Sequence, residues 1–67
     1  MLEKLYKEID SGEKQITEAL KTLRDFKLNM RASDYEPYSV AERELRAARV
    51  HIYEARKAIK VLWELYR

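Results

Sequence analysis

The chain has 67 residues, of which 39% are charged and 46% hydrophobic, with one Gly, one Pro, no Cys and a net charge of +2. Without Cys there is no disulfide framework and no thiolate metal site. A single Gly cannot build a phosphate-cradling loop of the GxGxxG or GxxxxGK(S/T) kind, and so few turn residues argue against a many-stranded sheet.

The first predicted element runs from about residue 2 to 30. Leu2, Leu5, Ile9, Gly12, Ile16, Ala19, Leu23, Phe26 and Met30 recur at alternating steps of three and four, the a/d pattern of a heptad coiled coil. Asp10-Ser11-Gly12 could end one short helix and cap another, but the heptad passes through Gly12 in phase, which predicts a continuous helix. A close approach of backbone is the expected reason for Gly at this position.

Residues 31–38 interrupt the pattern, and Pro37 disfavours helix at Glu36. Ser39-Val40-Ala41-Glu42 reads as a capping box that opens the second helix, over about 39–66. That helix carries Ala41, Leu45, Ala48, Ile52, Ala55, Ile59, Leu62 and Tyr66, again in steps of four and three. The expected fold is all-α: one antiparallel two-helix hairpin spanning residues 1–67, about 45 Å long at 1.5 Å per residue. Of eight layers whose residue numbers sum to 71, five set large against small: Met30 on Ala41, Leu23 on Ala48, Ala19 on Ile52, Ile16 on Ala55 and Gly12 on Ile59. The e positions then bring together Glu13 with Arg56, Lys27 with Glu42, Tyr6 with Trp63 and Leu20 with Arg49. A second register, summing to about 68, stacks Ala19 on Ala48 and Gly12 near Ala55, and ranks behind because it needs very close helix axes.

A single seam between two helices cannot bury the apolar residues that lie beyond it, among them Leu20, Leu28, Val50, Tyr53, Ala58, Val61, Trp63 and Leu65. Such a surplus marks an interface, so dimerisation into a four-helix bundle is expected, or docking on a larger protein. Tyr53, Val61, Trp63 and Leu65 are the candidate partner-binding residues, as aromatic and aliphatic anchors. Arg46, Arg49, Arg56, Lys57 and Lys60 concentrate positive charge on the second helix and are the candidate nucleic-acid-binding residues. No catalytic, cofactor-binding or metal-binding residues are assigned: the lone His51 at a g position has no second His or Cys beside it, the paired acids Glu42 and Glu44 lie on different helix faces, and Ser39 reads as a cap. Tyr35 and Tyr38 are expected to fold back and close the loop end, phenol oxygens in water.

No apolar run exceeds three residues (Val61-Leu62-Trp63), and the opening MLEKLYKEID lacks the apolar core of a secretory signal; the expectation is a soluble cytoplasmic protein. The hairpin length and its large-against-small layers resemble the Rop class of RNA-binding hairpins in architecture. The stretch Leu28-Asn29-Met30-Arg31-Ala32-Ser33-Asp34-Tyr35-Glu36-Pro37-Tyr38-Ser39-Val40, with Ala41-Glu42-Arg43-Glu44-Leu45, resembles the last helix-loop-helix of HEPN domains. That resemblance covers under half the chain; it implies a helical bundle, often dimeric, in a family that includes RNases and nucleotidyltransferase partners. The family's R-x4-6-H motif precedes this loop, whereas Arg46 and His51 lie after it, so no catalytic residue carries over. The functional expectation is a non-enzymatic helical interaction module or small accessory subunit without cofactors. The alternative is a nucleic-acid-binding hairpin dimer, Rop-like or HEPN-like.

Overall fold

A computed structural model describes residues 1–66 as two long helices folded back on each other, 53 × 14 × 12 Å overall. Helix α1 spans Leu2–Phe26 and helix α2 spans Tyr35–Leu65; two 3-10 turns, Lys27–Asn29 and Ala32–Asp34, lie between them. There is no strand among the described residues, and no helix is long and apolar enough to cross a membrane. Gly12 lies inside α1 without a break, so the in-phase heptad outweighs the roughly 1 kcal/mol helix cost of glycine.

The reversal needs no glycine. Met30 and Arg31 are both extended, with φ/ψ of −78/139° and −94/162°, and no described residue takes a positive φ. The Asp34 carboxylate accepts the Arg31 backbone N–H at 3.1 Å, while the Asp34 N–H donates to the Arg31 carbonyl at 2.9 Å. This clasp sets the entry into α2, which begins at Tyr35 with Asp34 as N-cap. The expected cap at Ser39 is therefore corrected: Ser39 lies in the second turn. Pro37 does not delay the helix, because in the first turn its missing N–H has no partner to lose and no earlier turn clashes with its ring.

The seam is also rotated from the expected one. Leu20, an e residue counted above as surplus, is the most buried side chain at 1% exposure. Trp63, another, is half-buried with its ring edge-on to Tyr6, centroids 6.0 Å apart. The a residues Ile9, Ile16, Leu23, Leu45, Ile52 and Ile59 stay in the seam, joined by the e residues Tyr6, Glu13, Leu20, Arg49, Arg56 and Trp63. The d row turns partly outward: Ala19 and Ala55 are exposed and Leu5, Phe26 and Leu62 are 37%, 50% and 39% exposed, while Gly12, Ala41 and Ala48 stay half-buried.

Neither of the two alignments gives Gly12 the neighbour it has. A Cβ on Gly12 would lie 3.7 Å from Ile52 Cδ1, so Gly12 faces Ile52 and not Ile59, two turns away.

Candidate interaction surface

The rotation gives the hairpin two unlike flanks. Beyond the e side lie the b residues, among them Glu3, Asp10 and Arg24 of α1 and Arg46, Tyr53 and Lys60 of α2. Arg56 crosses the seam here, its Nη1 lying 3.2 Å from Asp10 Oδ1 and 3.3 Å from Glu13 Oε1. The other oxygen, Glu13 Oε2, is buried without a hydrogen-bond donor. The expected e pairs Glu13–Arg56 and Tyr6–Trp63 are thus both present. Lys27 is placed differently, with its ammonium over the Tyr38 ring at 5.9 Å and not on Glu42.

Tyr38 is 7% exposed, and its hydroxyl donates to Glu42 Oε2 at 3.3 Å. The expectation of a phenol oxygen in water is corrected: Glu42, one turn on, substitutes for water. Burial pushes the Tyr38 phenol above its usual 10.0, and the Glu42 charge and hydrogen bond add to the shift, against opposing charges on Arg24 and Arg46. Tyr35 stays outside at 62% exposure.

A shallow groove follows this charged flank. Its floor passes from Glu13, Arg49, Val50 and Tyr53 to Tyr6, Arg56, Lys57 and Lys60, and ends at Trp63 and Glu64. It holds four of the five candidate nucleic-acid-binding residues and two of the candidate partner anchors. The cations are largely committed. Arg56 is held by Asp10 and Glu13, Lys57 by Glu54 at 3.7 Å, and Arg46, outside the groove, by Glu42 at 3.7 Å. Arg56 and Lys57 also stack over Tyr53, at 5.6 and 5.3 Å from its ring centroid. Among the described residues, Arg49 and Lys60 have no carboxylate within ion-pair distance.

The opposite flank carries the d rows: Leu5, Gly12, Ala19 and Phe26 from α1, Ala41, Ala48, Ala55 and Leu62 from α2. None is charged. In antiparallel helices both d rows open to the same side, so they form one apolar strip along the molecule. At the loop end a recess of 450 Å³ is lined by Leu23, Phe26, Arg31, Asp34, Pro37, Tyr38 and Ala41.

Of the remaining candidate anchors, Val61 and Leu65 are 60% and 75% exposed, and Tyr53 is 46% exposed beneath its two cations. The sequence pattern did not single out the d strip as a surface, because a regular a/d heptad reads as interior. Its signal was the run of Gly and Ala at d beside large residues at e. Among the described residues no group of three or more His, Asp or Glu side chains is placed to hold a metal ion. No family model matches the chain, and neither a curated protein nor a solved structure matches it.

Proposed function

We propose that this chain is a non-enzymatic helical interaction module, or a small accessory subunit, that works by self-association and by docking on protein surfaces. The observation that carries this reading is the imbalance of its apolar residues. Only Leu20 and Tyr38 are buried, while twelve large apolar side chains of the described residues stand exposed, from Met1 to Tyr66. Exposed apolar side chains in that excess over the buried ones support an interaction role. Sedimentation at micromolar concentration is expected to show a dimer or larger species; a cooperatively folded monomer would end the reading. For docking, Tyr53, Val61 and Leu65 are the accessible anchors, and Tyr53→Ala is expected to weaken capture of a protein partner more than loss of Lys60 does.

The second reading, a nucleic-acid-binding hairpin dimer, draws on Arg49 and Lys60 beside Tyr53 in the basic groove. It ranks second because Arg46, Arg56 and Lys57 already face carboxylates, and each phosphate contact would have to displace one. Phosphate binding releases counterions and weakens steeply with salt. Nuclease-sensitive, salt-sensitive retention of RNA or DNA by the purified protein would reverse the order.

A further inference from the structure

The groove on the charged flank runs along α2, and its two free cations stand at a fixed spacing. Arg49 and Lys60 are eleven residues apart. Eleven residues make three helical turns, so both lie on one face of α2, about 16.5 Å apart. Tyr53 lies between them and is 46% exposed. The edge-to-face pair of Tyr6 and Trp63 borders the far end, in a recess of about 470 Å³ that Lys60 also lines. Among the described residues neither Arg49 nor Lys60 has a carboxylate within ion-pair distance. We propose that this groove takes an acidic amphipathic helix of another protein, which sets two carboxylates eleven residues apart on Arg49 and Lys60 and an apolar side chain between them on Tyr53. The proposal rests on the protein-docking reading above and gives that reading a face and a partner chemistry.

Charge complementarity selects this occupant. Of the cations along the groove, Arg56 is held by Asp10 and Glu13, and Lys57 by Glu54. Arg49 and Lys60 remain, and two carboxylates balance them. A nucleic-acid strand carries a phosphate on every nucleotide. Between Arg49 and Lys60 it would meet cations that are already paired, and the Glu13 carboxylate beside them. Spacing selects a helix. A partner helix returns to the same face after eleven residues and about 16.5 Å, as α2 does. An extended segment covers that distance in about five residues at roughly 3.3 Å each, and residues five apart in a strand point to opposite faces. The acids of this chain do not meet the requirement: no two in α1, and no two in α2, are eleven residues apart. A second copy therefore does not match the pair of cations, and the occupant is a different chain. Tyr53 and Trp63 supply aromatic anchors of the kind that dominate binding energy, while the cations at either end fix register.

Fluorescence titration of the full chain tests the groove, because Trp63 is its one tryptophan and lies in the recess beside Lys60. The probe is a designed helical peptide of Ala and Gln without Trp, carrying two glutamates eleven residues apart and a leucine between them on the same face. The control has the same composition with the glutamates five residues apart, on different faces. The probe is expected to shift the Trp63 emission and to bind at least about 5-fold more tightly than the control, the scale of two partly exposed ion pairs. Arg49→Gln/Lys60→Gln is expected to make the two peptides equal, and Tyr53→Ala to weaken both. Equal binding of the two peptides by the native chain, binding of neither, or a preference that survives in the double variant would overturn the proposal. Single-stranded oligouridylate that binds the native chain more tightly than the probe would overturn it in favour of nucleic acid. The two peptides are compared on native protein, so the test holds even where a variant fails to fold. If the groove fails while the native chain still sediments as a dimer, the self-association reading stands; a native monomer that binds neither peptide removes both.

Discussion

Arg56 holds Glu13 across the helix seam, with 3.3 Å between guanidinium and carboxylate, and the same nitrogen reaches Asp10 at 3.2 Å. The two acids are not equivalent. Glu13 is the more enclosed, and its second oxygen is buried without a donor. Arg56 therefore has two partners to lose, while Glu13 depends on one.

That asymmetry sets an order for substitutions. Arg56→Met strands a largely buried carboxylate and is expected to cost about 1–3 kcal/mol. Glu13→Met removes the orphaned oxygen and leaves Arg56 paired with Asp10, so its cost is expected to stay below about 1 kcal/mol. Urea midpoints of the two variants measure the order, and the reverse ranking would refute the assigned roles.

Leu20 and Phe26 exchange the weights that a plain a/d heptad assigns them. Leu20→Ala opens a cavity at the most buried point of the seam and is expected to cost about 2–5 kcal/mol. Phe26 is half exposed in the hairpin, so Phe26→Ala is expected to cost less than Leu20→Ala when measured at concentrations below dimer dissociation. Equal losses under those conditions would place the seam back on the d row.

Tyr38 couples the loop end to alkaline pH. Its phenol is raised above 10.0 by burial first and by Glu42 second. A raised acid keeps its proton more firmly in the folded chain than in the unfolded one. Its contribution is therefore complete below pH 10.0 and is lost as pH rises through the higher folded value. Absorbance at the tyrosinate band should show a phenol that ionises above pH 10.0. Tyr38→Phe should remove that late step, and Glu42→Gln should bring it to lower pH.

Asp34, not Ser39, starts the second helix. Asp34→Ala removes the acceptor of the Arg31 N–H and is expected to cost about 0.5–1.5 kcal/mol. Ser39→Ala lies one turn inside the helix and is expected to change stability by no more than about 0.5 kcal/mol. Thermal melts of the two variants decide between the caps.

Much of the architecture was legible in the heptads. The 3-4 spacing specified two long helices, because only a helical period returns those side chains to one side, but it overshot the first, which ends at Phe26 with Met30 extended. The same spacing carried α1 through Gly12 and brought Glu13 to Arg56 and Tyr6 to Trp63. What the period left open was which two of the three apolar rows, a, d and e, close the hairpin, since neighbouring rows differ by only a small rotation of each helix. Packing decided it by size. Turning Tyr6, Leu20 and Trp63 inward buries far more surface than turning Gly12, Ala19 and Ala55 inward, and burial stabilises in proportion to area. The start of α2 was hidden for a different reason: the Arg31–Asp34 clasp is set by two extended residues whose conformation no local pattern announces. The groove along the charged flank, and with it the candidate interface, exists only because the tertiary structure made that choice of rows.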